Sequence, residues 1–136
     1  YQEKISMPLL DRMDMMIEVS ALSYPQWNQK TQEMSSTQMK KKVERVREIQ
    51  KERRKGQSFL FNSRMGNQEL EEYCALGTQE KKLMKKAFDE LKMSARGYTK
   101  ILKVARTVAD LEEKEQIQTE HLQEALCYRI GNGIYR

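Results

Sequence analysis

The sequence predicts an all-α fold: a small helical bundle preceded by a strand and turn left over from a larger domain. Three observations carry that expectation. Charged residues make up 33% of the 136 residues and hydrophobic ones 38%, with only 6 Gly and 2 Pro, a balance that favours helices over a turn-rich β fold. Apolar residues recur at three- and four-residue spacing through most of the chain after Ser36. One run alone, Met13 to Val19, has the length and apolar density of a strand, and a lone strand has no neighbour to satisfy its backbone. The expected division is therefore 1–24, the end of a sheet-bearing domain; 25–35, a polar linker; and 36–136, a helical domain.

Each element follows from local chemistry. Pro8 with Leu9 and Leu10 suits a short helical turn. Tyr24, Pro25, Gln26 and Trp27 lead into the polar stretch NQKTQEMSST, which reads as the linker. From Ser36 to Lys55, Met39, Val43, Val46 and Ile49 form a narrow stripe on an otherwise charged, lightly docked helix that Gly56 can stop. Phe59, Leu60 and Phe61 form a short anchor. Asn67 opens a brief helix with Leu70, Tyr73 and Cys74, and Thr78 caps another carrying Leu83, Met84, Ala87, Phe88 and Leu91. The short connection that follows predicts an antiparallel neighbour.

That neighbour, Ser94 to Leu111, is the central helix. Tyr98, Ile101, Leu102, Ala105, Val108 and Ala109 share one face, and the basic Arg96, Lys100, Lys103 and Arg106 mostly fall between them. Ser94 is placed to cap it. Thr119 then caps a last helix with Leu122, Ala125 and Leu126, ended by Gly131, Asn132 and Gly133.

Composition excludes several classes of function. No apolar run approaches the ~20 residues that span a bilayer, and no signal-peptide segment opens the sequence, so a soluble, cytoplasmic, non-membrane protein is expected. Cys74 and Cys127 sit in helical apolar patterns and read as buried free thiols. His121, the sole histidine, has no second ligand at metal spacing, so no metal site is expected and a structural or surface role is. The pairs Glu71 with Glu72 and Glu112 with Glu113 read as solvated helix ends. Neither G-x-x-x-x-G-K-[ST] nor G-x-G-x-x-G occurs, so the chain has no loop to cradle nucleotide phosphates and is expected to be inactive alone.

Two arginines and one basic segment remain. Arg96 falls in the first turn of its helix, where a cation opposes the helix dipole unless an anion is shared with the helix end. A solvated arginine is the alternative. Arg12, in LLDRMD, could be projected by a rigid turn toward a phosphate held by a neighbouring subunit, the alternative being a surface ion pair with Asp11 or Asp14 of little energetic consequence. The net charge of +5 is concentrated between Lys40 and Lys55, where nine basic residues face three acidic ones. Lys40, Lys41, Arg45, Arg47, Lys51 and Arg54 are the candidate nucleic-acid contacts there. The alternative is a solvated helix, since aromatic residues are not interleaved with the charges.

At these residues the chain resembles the C-terminal part of the magnesium-chelatase-like AAA+ ATPases of the ComM/YifB competence type. ISMPLLDRMDMMIEV resembles that family's I-S-G-P-L-L-D-R-I-D-I-H-I-E-V, and SARGYTKILKVARTVADLEE resembles its S-A-R-x-Y-x-R-I-L-[RK]-V-A-R-T-I-A-D-L-E signature. HLQEALCYR is similar to H-L-x-E-A-L-x-Y-R, and NQELEEYCAL to the stretch before the bundle. Met7, Met15, Met16 and Lys100 depart from the pattern. The resemblance implies that residues 1–24 end the ATPase core and that the helical domain is its lid. It implies Arg12 as an arginine finger acting in trans and Arg96 as a sensor-2 arginine. It further implies that the full-length protein uses ATP and Mg2+ and assembles with copies of itself into a ring, a hexamer in that family's manner, to remodel DNA. The fragment itself is expected to be monomeric and to carry no cofactor. A basic nucleic-acid-binding module and a true magnesium chelatase subunit are the competing readings.

Overall fold

A computed structural model describes residues 6–28, 33–56 and 61–130. Among them are seven α-helices: α1 (Met7–Arg12), α2 (Tyr24–Asn28), α3 (Ser36–Arg53), α4 (Asn67–Tyr73), α5 (Thr78–Glu90), α6 (Ala95–Leu111) and α7 (Thr119–Ile130). A short 3-10 turn spans Asn62–Arg64. Phe59, Leu60 and the expected terminator Gly131–Gly133 lie outside the described residues.

The central helix forms where its periodicity predicts. The Ser94 hydroxyl accepts the Gly97 N–H (3.0 Å), satisfying one of the orphan donors at the start of α6. Ile101, Leu102, Ala105, Val108 and Ala109 are buried and Tyr98 is half-buried. This face packs most extensively on α7, where Leu122, Ala125 and Leu126 are buried. Each large apolar side chain so buried contributes roughly 1.5–3 kcal/mol before ordering entropy is subtracted.

The other helices surround that pair. α4 lies on α6, and Leu70 with Cys74 joins the core. α5 places Met84 and Ala87 in the core but rests mainly on α7, touching α6 where Phe88 meets Tyr98 edge-on at 6.1 Å. The short link between α5 and α6 therefore does not give the closely packed antiparallel pair its length suggests. α3 buries only Val46 and Gln50, with Met39 and Val43 exposed, which is the light docking its narrow stripe predicts. Gly56 follows it at φ +86, a left-handed angle that glycine adopts without steric cost.

Several expectations are corrected. Among the described residues no strand forms, and Met13 to Val19 runs as irregular backbone with one backbone–backbone bond across to the bundle, Met16 N–H to the Tyr128 carbonyl (2.6 Å). No second strand lies beside it to complete a ladder, so the run's strand propensity goes unused. Part of the expected linker is helical, as α2. The caps of α4 and α5 are Gly66 and Gly77, one residue before Asn67 and Thr78, with the Glu69 carboxylate accepting the Gly66 N–H (2.9 Å). Cys127 is exposed, because it falls one residue beyond the α7 face set by Leu122, Ala125 and Leu126. Arg106, expected between the core positions, is 1% exposed.

Candidate functional site

The N-terminal end of α6 gathers residues from three distant parts of the chain. Ser94 caps the helix and also donates its hydroxyl proton to the Asp11 carboxylate, 3.0 Å away. Arg129, near the end of α7, donates to Asp11 Oδ1 (2.7 Å) and to the Met13 carbonyl (2.7 Å). Lys100, one turn along α6, forms an ion pair with Asp14 (2.9 Å) and donates to the Arg12 carbonyl. Gly97 allows the Arg129 guanidinium to approach, since a Cβ there would meet Arg129 Nη2 at 3.3 Å. Asp11 supplies the negative charge that the positive end of α6 favours.

Both sequence-predicted arginines lie at this end. Arg96 occupies the second position of α6 and is exposed; Arg12, next to Asp11, is exposed as well. Among the described residues neither guanidinium has a hydrogen-bond or ion-pair partner. Met7 is helical, so the turn before Arg12 requires no glycine-only backbone angle. Two fixed-charge forks with unused donors, carried on a held backbone, can bind an anion such as a phosphate.

The opposite end of α6 is built around a buried carboxylate. Asp110, 0% exposed, receives Arg106 Nε (3.0 Å), Arg53 Nη1 (3.0 Å), Gln50 Nε2 (3.1 Å) and Asn62 Nδ2 (3.0 Å). Arg106 also donates to the carbonyls of Glu115 (2.7 Å) and Lys114. Burial pushes the Asp110 carboxyl up, but bonds from Arg53 and Asn62 and the nearby guanidinium charges outweigh it, so the group stays below the usual aspartate value. Burial lowers the Arg106 guanidinium from the ordinary arginine value, with Asp110 opposing. This cluster ties α3, the 3-10 turn and α6 together. Sequence reasoning missed it, although Leu102, Arg106 and Asp110 follow at four-residue intervals on a buried stripe.

The basic residues of α3 are dispersed by their own contacts. Lys40 faces Glu44 (3.9 Å), Arg45 pairs with Glu113 (3.2 Å), Arg47 lies over the Phe61 ring (4.3 Å) and Arg54 Nε donates to the Gln50 carbonyl (2.8 Å). Of the six candidates, Lys41, Arg47 and Lys51 form no ion pair among the described residues, and Arg47 is engaged by the Phe61 ring.

The remaining candidates are structural. His121 is buried, its Nδ1 accepts the Gln118 N–H (2.9 Å), and its Nε2 therefore carries the proton directed at Glu112 (3.0 Å). This is the structural role expected of it, and it makes Glu112 a partner instead of a free helix end. Burial pushes the Cys74 thiol up to about 11, leaving it unreactive at neutral pH. Among the described residues no group of three His, Cys, Asp or Glu could hold a metal ion, and no helix is long and apolar enough to cross a membrane.

The family described as "Magnesium chelatase, subunit ChlI C-terminal" matches residues 33–129. The chain is 42% identical over 132 residues to "Competence protein ComM" of Haemophilus influenzae, covering 95% of this chain and 25% of that protein. It is 35% identical over 130 residues to "Uncharacterized protein YifB" of Salmonella typhimurium and 33% identical over 131 residues to the Escherichia coli protein of that name, with the same coverage of each. The chain thus spans about a quarter of the length of the curated relatives it matches.

Proposed function

Because this chain belongs to the magnesium chelatase ChlI C-terminal family, we propose that it is the helical lid of an AAA+ ATPase. In this reading it reports the state of a bound nucleotide through Arg96 and presents Arg12 to a phosphate held by a neighbouring subunit. The observation that carries it is the arrangement at the start of α6: Arg96 and Arg12 flank the Ser94–Asp11 contact, both exposed and both without a partner among the described residues. A guanidinium held near a transferring phosphoryl group neutralises the charge that develops on its oxygens. These residues fit the reading of a phosphate and not the cradling of a nucleotide, because the sequence has no phosphate loop. ATP and Mg2+ belong, on this proposal, to a part of the full-length protein outside these residues. The same proposal includes assembly into a ring, remodelling of DNA, and a cytoplasmic setting.

The test is Arg96→Ala in the full-length protein. Turnover of ATP is expected to fall by about a hundredfold or more, as for the loss of a preorganised charge at a phosphoryl group. The unfolding midpoint should not move, since the side chain is exposed and forms no hydrogen bond or ion pair among the described residues. Wild-type turnover in that variant overturns the assignment.

A second reading, a nucleic-acid contact through α3, draws on Lys41 and Lys51, which form no ion pair among the described residues. Titrating duplex and branched DNA at two salt concentrations decides it: binding that weakens with salt and is reduced by Lys41→Ala with Lys51→Ala supports it, and no binding at low salt removes it.

A further inference from the structure

Arg12 is gripped on every side except its own side chain. Arg129 holds the residues before and after it, through the Asp11 carboxylate and the Met13 carbonyl, both at 2.7 Å. Lys100 takes the carbonyl of Arg12 itself. The two basic side chains lie largely covered beneath the turn, at 13% and 16% exposure, so the turn is seated on them and not merely near them. Asp11 is also bonded to Ser94, whose hydroxyl fixes the first turn of α6 and hence the backbone of Arg96. A free arginine on a surface loop needs none of this, and an isolated exposed ion pair contributes little. Five polar contacts converging on four consecutive residues, Asp11 to Asp14, determine a position.

We infer that Asp11, Ser94 and Arg129 form a linkage that moves the turn carrying Arg12 and the helix end carrying Arg96 as one piece, so that the phosphate read by Arg96 sets the placement of Arg12. The inference rests on the phosphate-reading function proposed above. Asp11 and Arg129 act as positioning residues: they touch no phosphate, and their effect passes through Arg12.

The experiment is a double-mutant cycle in the full-length protein, read alongside amide exchange in this chain. Arg129→Met should lower kcat by roughly ten- to a hundredfold, the scale of a displaced catalytic group, with KM for ATP unchanged. Added to Arg12→Ala it should cause no further loss, because the residue it positions is gone. The Met16 amide, bonded to the Tyr128 carbonyl, should exchange faster in Arg129→Met than in the wild type. Arg129→Lys keeps the charge and should give an intermediate loss; it replaces Arg129→Met if that variant does not fold. Multiplicative losses in the cycle, or wild-type turnover in Arg129→Met, overturn the linkage while leaving Arg12 and Arg96 in place. Wild-type turnover in both Arg12→Ala and Arg96→Ala instead overturns the phosphate reading on which the linkage rests.

Discussion

Helix α6 uses the same chemical pair at its two ends, an aspartate bound by arginine, and the two ends behave differently. At the C-terminal end Asp110 is fully buried, and Arg106 and Arg53 share it with Gln50 and Asn62. At the N-terminal end, about 24 Å away by helix rise, Asp11 is 36% exposed and Asp14 67% exposed. Burial decides what each pair does. A carboxylate without water depends wholly on its partners, so losing it leaves two guanidiniums uncompensated. A carboxylate that water can reach adds little to stability, which suits a contact that places a turn and does not hold the fold. One end of the helix holds the fold and the other places the Arg12 turn.

The largest effect that can sharpen this contrast is Asp110→Asn. It should destabilise the chain by about 3–5 kcal/mol in denaturant unfolding, the cost of stranding buried charge. A loss below ~1 kcal/mol would put the buried end on the same footing as the exposed one. Acid gives a second, smaller probe. The Asp110 carboxyl is held below its unfolded value, so its contribution is fully present above the unfolded aspartate range and is lost as pH falls through the folded value. Unfolding measured from pH 6 downward should show stability declining below about pH 4, with Asp110→Asn flattening that decline. A decline of equal steepness in the variant would assign it to other carboxylates. The smallest effect belongs to the exposed end: Asp14→Asn should shift stability by no more than ~0.5 kcal/mol, because its pair with Lys100 is open to solvent on the aspartate side. A larger loss would mean that the turn is part of the folding core.

Much of this was legible in the residues. The apolar face of α6, its Ser94 cap, the weak docking of α3 and the stop at Gly56 follow from spacing and local backbone chemistry, which act over a few residues. The two carboxylate clusters were not legible, for different reasons. Arg106 and Asp110 are charged, and charge type reads as exposure; their register with Leu102 on the buried stripe was the available signal. Asp11 and Arg129 are 118 residues apart, and no local pattern announces a contact that only the tertiary fold creates. The strand expected from Met13 to Val19 shows the converse: local propensity was present, and the neighbour that would use it was not. Arg12 and Arg96 stood out singly, one for its turn and the other for its place against the dipole. That they sit on either side of one hydrogen bond is something only the fold shows.

The most direct measurement is site-resolved amide exchange on this chain at low and at high salt. The Met16 amide reports whether the Arg12 turn is seated, and the Asp110 amide reports the buried end. Raising salt from ~0.05 M to ~1 M shortens the screening length to about 3 Å, which weakens exposed pairs and spares buried ones. The account predicts that Met16 exchanges several-fold faster at high salt while Asp110 is unchanged. Equal responses at the two ends, or none at Met16, would contradict it.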